Sequence, residues 1–109
     1  MDQITFEDWK KIQMKVGKII SAERIEGTDK LYKIVVDVGE EKPRQIVSGI
    51  VPSYTEDELK DKLIILLVNL APAVIRGVES QGMLLCATAD GICRLLTVPE
   101  GTLPGTLVR

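Results

Sequence analysis

Histidine is absent from this chain of 109 residues, and cysteine occurs only twice. Without histidine the chain cannot form a Ser-His-Asp relay, a Cys-His nucleophile or a histidine-liganded zinc site. The carboxylates lie in predicted helices and turns, and no pair of them has a spacing that calls for acid-base catalysis. We therefore expect a binding protein with no catalytic residue, no metal site and no cofactor.

Long apolar segments are also absent. The longest uncharged apolar run, Leu63 to Val68, is too short to cross a bilayer, and the N-terminus carries Asp2 and lacks an apolar signal segment. Hydrophobic residues make up 45% and charged residues 28%, which is ordinary for a globular protein and excludes a disordered one. We expect one domain, residues 1–109, in a cytoplasmic protein that does not contact membranes.

Aromatic residues make up only 4% of the chain. Bases of single-stranded nucleic acid are usually held by aromatic stacking. Phe6 and Trp9 belong to a helical pattern, Tyr32 has the parity of core residues, and Tyr54 lies in a turn that it would anchor. A general binder of single strands is therefore disfavoured.

The net charge of −2 argues against a surface that grips nucleic acid everywhere. Four acids and two bases lie in the segment 56–62, so the rest of the chain is neutral overall. A local basic face is thus allowed. Such a face would make few phosphate contacts and would bind with modest, salt-sensitive affinity.

The two cysteines predict free thiols. If the Asp90-Gly91 pair closes a symmetric hairpin, Cys93 faces Thr88 and Cys86 faces Leu95. The two sulfurs then lie diagonally, so a disulfide would need a different register. We expect two packed, inert thiols.

Alternation of apolar and polar residues predicts a chain made mainly of short strands. Thr5 with Asp8 marks the start of a helix that runs through about Ile12, and Thr55 with Glu58 forms a capping box. The predicted elements are that N-terminal helix, a curved strand from Met14 to about Glu26 with a bend or bulge at Gly17, strands at Tyr32–Val38, Arg44–Ile50 and Leu63–Val68, a helix at Glu56–Lys62, and a hairpin of Met83–Ala89 with Ile92–Val98.

This order predicts an all-β fold, a five-stranded Greek-key barrel of the oligonucleotide-binding type. A short N-terminal helix and a helix between strands three and four accompany the barrel, and a C-terminal hairpin and tail extend it. The tail, Pro99 to Arg109, carries Leu103, Leu107 and Val108. Contact with a second copy and pairing with the chain's own barrel explain these residues equally well.

The segment from Asn69 to Ala87 is predicted to be a binding loop. Pro72, Gly77, Gly82 and Asn69 itself favour turns, and Arg76 and Ser80 lie between them. Arginine suits phosphate, and the serine hydroxyl and backbone N–H groups can add hydrogen bonds. The alternative is a solvated connector whose arginine pairs with Glu79 or with nothing.

Three motifs in sequence resemble the transfer-RNA-binding domain, which occurs at the C-terminus of many methionyl-tRNA synthetases and in freestanding relatives. They are Asp29-Lys30-Leu31-Tyr32, Arg44-Gln45-Ile46-Val47-Ser48-Gly49-Ile50, and Asn69-Leu70-x-Pro72 with Arg76-Gly77-Val78-x-Ser80-x-Gly82-Met83-Leu84-Leu85. The resemblance covers about Asp8 to Arg109. It implies a non-catalytic barrel that grips folded tRNA by shape and phosphate contacts, often as a homodimer, and that serves as the accessory (beta) subunit of a methionyl-tRNA synthetase.

The resemblance also implies which residues bind tRNA. Relatives often carry lysines at the positions of Ala71 and Val74, so this chain has only one positive charge in the loop. A less basic loop leaves a second hypothesis, a secretion-associated chaperone of the same fold family that binds unfolded polypeptide. The implied tRNA-binding residues are Lys30, Arg44, Ser48, Asn69, Arg76, Ser80 and Met83.

Overall fold

The computed structural model describes residues 2–109 as an antiparallel sheet that curves into a nearly closed barrel. The strand order is β3-β2-β1-β4-β7, and β10 adds to β1. Two short hairpins, β5-β6 and β8-β9, stand outside this sheet. The elements are α1 (Phe6–Lys11), β1 (Met14–Arg24), β2 (Tyr32–Asp37), β3 (Arg44–Ser48), α2 (Glu56–Leu59), β4 (Leu63–Leu67), β5 (Ala73–Ile75), β6 (Val78–Ser80), β7 (Met83–Leu84), β8 (Cys86–Ala89), β9 (Ile92–Leu95) and β10 (Leu107–Val108).

Both helices begin at the predicted capping boxes. The Thr5 hydroxyl accepts a hydrogen bond from the Asp8 backbone N–H at 3.1 Å, and Thr55 and Glu58 make the equivalent contact at 3.2 Å. Helix α1 nevertheless has no fully buried residue. Across residues 2–109, no helix has the length and apolarity that a membrane span requires.

Strand β1 is the centre of the sheet because it pairs with three other strands. Its first half pairs with β4 and β10, and its second half pairs with β2. The register shifts between Ile19 and Ser21, so the bulge lies beyond the predicted site at Gly17. Gly17 instead allows close packing, since an added Cβ would lie 2.5 Å from Val36 Cγ1.

The core fills the barrel with alternate residues of the central strands. In β2, Tyr32, Ile34 and Val36 point inward, as predicted, and are buried. The Tyr32 hydroxyl donates to the Tyr54 carbonyl oxygen at 2.7 Å, while the Tyr54 hydroxyl accepts from the Leu95 N–H at 2.9 Å. Tyr32 is thus a core ring, and Tyr54 anchors its turn, as the sequence predicts.

Several elements are shorter than predicted. Helix α2 stops at Leu59 rather than Lys62, because Asp61 adopts a left-handed conformation (φ 69°) and donates its N–H to the Ile19 carbonyl. Strand β1 ends at Arg24, two residues before its predicted end. These differences arise where the chain leaves one element to join the next strand of the barrel.

The predicted C-terminal hairpin divides into two parts. Met83–Leu84 joins the barrel beside β4, and only Cys86–Ala89 pairs with β9 around the Asp90-Gly91 turn. The predicted register is confirmed, since Thr88 lies opposite Cys93. Both cysteines are free.

The tail packs on the chain's own barrel. Gly105 N–H donates to the Val16 carbonyl, and Val16 N–H donates to the Thr106 carbonyl, each at 2.8 Å. Strand β10 then pairs Val108 with Met14. This contact is the intramolecular alternative of the two that the sequence left open, although Leu103 and Leu107 stay exposed.

Candidate nucleic-acid interface

The predicted binding loop contains a hairpin, β5-β6, that the sequence analysis missed. Ile75 pairs with Val78, and the two-residue turn between them is Arg76-Gly77, with φ values of 54° and 77°. Two left-handed residues in succession are typical of a type I′ turn. Asn-Gly and Asp-Gly are the sequences that usually indicate this turn, so Arg-Gly did not predict a hairpin.

Arg76 is exposed at the tip of this hairpin. It is the only positive charge from Asn69 to Ala87. The salt bridges found among residues 2–109 do not include Arg76, so its guanidinium is not paired with Glu79. Its five N–H donors are therefore available to an anionic ligand.

The hairpin is attached to the barrel at the outer edge of β3. Gln81 N–H donates to the Gln45 carbonyl at 2.8 Å, and Gln45 N–H donates to Gln81 Oε1 at 3.0 Å. Gln45 Nε2 donates to the Glu79 carbonyl at 2.9 Å. Sequence analysis assigned no role to Gln45 or Gln81, because a side chain that bridges two distant segments leaves no local pattern.

Ser80 also forms a hydrogen bond with the outer edge of β3. Its hydroxyl accepts from the Val47 N–H at 3.0 Å and donates to the Gly82 carbonyl at 3.4 Å, and the residue is only 7% exposed. An added Cβ at Gly82 would lie 2.7 Å from the Leu67 carbonyl, so this segment crosses β4 at close range. Within the protein, Ser80 therefore satisfies an outward-facing N–H of β3.

Arg44 lies at the start of β3 and makes hydrogen bonds to three other segments. Its guanidinium binds the Glu40 carboxylate through two bonds of 2.8 and 2.9 Å, and it donates to the carbonyls of Val68 and Gln81. The hydrogen bond from Arg44 lowers the pKa of Glu40, and the same bond raises the pKa of Arg44. Arg44 thus joins the start of β3 to the ends of β4 and β6.

Arg44 also borders an acidic cleft of about 550 Å³. The cleft is lined by three carboxylates, those of Glu40, Glu41 and Glu79. Its basic residues are Arg44 and one lysine, and its apolar residues include Leu70 and Pro72. Excess negative charge disfavours a phosphate group. Three carboxylates and two basic side chains line the cleft, so its excess negative charge is one.

Asn69 connects the end of β4 to the N-terminal segment. Its Oδ1 accepts from the Gln13 N–H at 2.9 Å, and its Nδ2 donates to the Lys11 carbonyl. Both ends of the amide are therefore engaged within the protein.

The predicted site residues separate into two groups along β3. Ser48 pairs with Tyr32, which follows the turn that carries exposed Lys30, whereas Arg44 pairs with Val36 at the other end of β3. Because Gln81 meets Gln45 and Ser80 meets Val47, β6 runs antiparallel to β3 and directs its turn towards Ser48. The structure thus brings Arg76, Lys30 and Ser48 towards one end. Arg44, Asn69 and Met83 lie towards the other, Met83 being paired with Leu67.

Exposed apolar side chains accompany the hairpin. Val74 is 71% exposed and Met83 54%, and Leu70 and Ile75 are also exposed. Ala71, like Val74, provides no charge. Of these four residues, Val74 and Ile75 lie on the hairpin itself, directly before Arg76.

Comparison with known proteins shows which proteins this chain resembles. Residues 14–107 match the family model described as "Putative tRNA binding domain". The methionine-tRNA ligase of Methanocella arvoryzae is 50% identical over 106 residues, which cover 97% of this chain and 15% of that ligase. The chain therefore spans about one seventh of the length of that relative.

Solved structures share the whole fold. A methionyl-tRNA-synthetase-related protein from Pyrococcus horikoshii superposes with a TM-score of 0.92 at 44% identity, with 100% of both chains covered. The CsaA chaperone protein of Picrophilus torridus gives 0.89 at 31% identity, covering 98% of this chain and 100% of the other. These matches confirm the oligonucleotide-binding barrel.

Proposed function

The chain belongs to the tRNA-binding domain family, and on this premise we propose that it binds folded tRNA at the end of the barrel that carries Arg76, Lys30 and Ser48. The observation that supports this most directly is the exposed, unpaired guanidinium of Arg76 at the tip of a hairpin held against β3. We propose a binding role with no catalytic step of its own, and a cytoplasmic location, where tRNA is present.

The chemistry of this end suits an RNA backbone. Arg76 can donate two parallel hydrogen bonds to a phosphate, Lys30 adds a second positive charge, and the Ser48 hydroxyl adds a neutral donor. Because the residues at 71 and 74 are uncharged, the phosphate contacts are few. We therefore expect modest affinity that declines as salt rises.

We also propose that the chain acts as the accessory subunit of a methionyl-tRNA synthetase. The similarity to methionine-tRNA ligases supports this role. A weak tRNA-binding module raises the local concentration of tRNA when it is bound to a catalytic subunit, so low intrinsic affinity is compatible with the function.

A titration of labelled tRNA at several salt concentrations tests the site. Arg76→Ala should weaken binding by about fivefold to tenfold at 0.1 M salt and flatten the salt slope by about 0.7 to 0.9, which is the value of one phosphate contact. Arg109→Ala, a change of an exposed arginine that follows β10 beside Met14, at the opposite end of the barrel, is the matched control. Equal affinity of the wild type and Arg76→Ala would contradict the assignment.

We propose a homodimer formed through the N-terminal helix. No residue of helix α1 is fully buried, and its Phe6 and Trp9 are 69% and 41% exposed. Exposed Leu103 and Leu107 lie on the tail that pairs with the start of β1, directly after α1. We expect the exposed apolar side chains of α1 and of the tail to be covered by a second copy of the chain rather than to remain in contact with water.

Light scattering at micromolar concentration tests the dimer. The wild type should give twice the mass of one chain, and Phe6→Glu with Leu103→Glu should give the mass of one chain with unchanged circular dichroism. A wild-type mass of 12.0 kDa would overturn the proposal.

A chaperone function is the second candidate. The exposed apolar residues Leu70, Val74, Ile75 and Met83 could contact unfolded polypeptide, and a chaperone shares the fold. Aggregation of a reduced, unfolded client decides between the two functions. If equimolar protein suppresses aggregation of the client and Val74→Asp does not, the chaperone function is supported. Undiminished aggregation with the wild type would exclude the chaperone function.

A further inference from the structure

We infer that Gln81 is a positioning residue for Arg76, an inference that rests on the proposed function of the hairpin. Gln81 is uncharged and lies five residues beyond Arg76. Its contacts hold the base of the hairpin against β3, and this orientation determines where the guanidinium at the tip is presented.

The hairpin depends on contacts beyond its own strands. Strands β5 and β6 have three residues each and form a separate two-stranded sheet. An isolated two-stranded hairpin is at best marginally stable in water. The β5-β6 hairpin therefore needs attachment to the barrel to keep one orientation.

Most of that attachment passes through side chains. Besides one main-chain bond, from Gln81 N–H to Gln45, the β3 edge uses the Gln81 amide, the Ser80 hydroxyl and the Gln45 amide. A regular ladder would satisfy the outward N–H groups of β3 with backbone carbonyls. Here the side chains of the hairpin base replace that ladder.

Gln81 makes the central contact of this arrangement. Its N–H and its Oε1 together form a closed pair of hydrogen bonds with the backbone of Gln45, equivalent to one hydrogen-bonded pair of an antiparallel ladder. Its carbonyl also accepts from Arg44 at 3.1 Å, and Arg44 is fixed in turn by Glu40. Gln81 is thus bound at three atoms, all on the barrel side of the hairpin.

Amide hydrogen exchange measured without RNA tests the positioning directly. In Gln81→Met, amides of residues 73–80 should exchange at least about tenfold faster, while amides of β1 and β2 stay protected. Gln81→Glu keeps an oxygen acceptor at the same place and should restore slow exchange. Gln3→Met, at an exposed glutamine, is the matched control.

A double-mutant cycle in tRNA binding tests the link to Arg76. Since Gln81 carries no charge, Gln81→Met can flatten the salt slope only by displacing a charged residue. We expect Arg76→Ala to weaken binding less than about twofold in the Gln81→Met background, against its full effect in the wild type. A purely stabilising role would leave the two effects additive.

The outcomes separate the two proposals. Unchanged exchange of residues 73–80 in Gln81→Met, or additive effects in the cycle, would overturn the positioning role. If Arg76→Ala alone has no effect on tRNA affinity, the proposed function of Arg76 is wrong. The exchange measurement then still shows whether Gln81 orients the hairpin.

Discussion

Replacement of Ser80 by alanine tests whether this serine serves the barrel or the RNA. The hydroxyl accepts from the Val47 N–H at 3.0 Å in a residue that is 7% exposed. Its removal leaves that N–H without a partner, which costs about 1–3 kcal/mol. The free energy of unfolding should fall by this amount, and Tm should fall by about 4–12 °C at about 4 °C per kcal/mol.

Urea denaturation followed by circular dichroism measures this loss. Tryptophan fluorescence is a weaker probe here, because Trp9 lies on helix α1, outside the barrel core, and is 41% exposed. Ser21→Ala, at an exposed position of β1, is the control and should change the free energy of unfolding by less than about 0.5 kcal/mol. If Ser80→Ala is as stable as this control but binds tRNA more weakly, the structural role is wrong and the hydroxyl contacts RNA.

Three further outcomes follow from backbone conformation and titration. Gly105→Ala should lower the free energy of unfolding by about 1–3 kcal/mol in urea denaturation, because Gly105 has φ +90° and the added Cβ would lie 3.0 Å from a carbonyl oxygen. Gly101 has a similar φ but open space around it, so Gly101→Ala should lower the free energy of unfolding by less. The bond from Arg44 lowers the pKa of Glu40, so the carboxylate stabilises the fold above its unfolded-state pKa. The advantage of the wild type over Glu40→Gln should therefore be present at pH 7 and disappear as the pH falls below about 4 in pH-dependent denaturation. Burial, more than the neighbouring cysteine, raises the pKa of the Cys86 thiol, so iodoacetamide should alkylate it more slowly at pH 7 than it alkylates free cysteine.

The fold was predictable where local pattern and tertiary structure agree. Alternation from Tyr32 identified β2 and its inward face, and Thr55 with Glu58 identified the start of α2. The end of α2 was not predictable, since the left-handed Asp61 is imposed by its bond to β1. Likewise, the division of Met83–Ala89 depends on β4, a strand that lies far away in the sequence.

The sequence proposes residues for the candidate site but does not give their arrangement. The family resemblance implies Arg44 and Arg76 alike as tRNA-binding residues. In the structure, Glu40 pairs with Arg44, whereas none of the salt bridges within residues 2–109 includes Arg76. Arg44 also donates to the carbonyls of Val68 and Gln81, which lie on distant segments, and contacts of this kind across a barrel have no period in the sequence.

The pairing of Met14 with Val108 determines how the barrel responds to mechanical force. The chain enters the sheet and leaves it at the same end of two antiparallel neighbours, β1 and β10. Tension applied at the two ends therefore opens their hydrogen bonds one after another, as in a zipper, instead of shearing them together. We expect the tail to peel away at low force while β1 remains held by β2 and β4, so the barrel itself gives a second, stronger unfolding event.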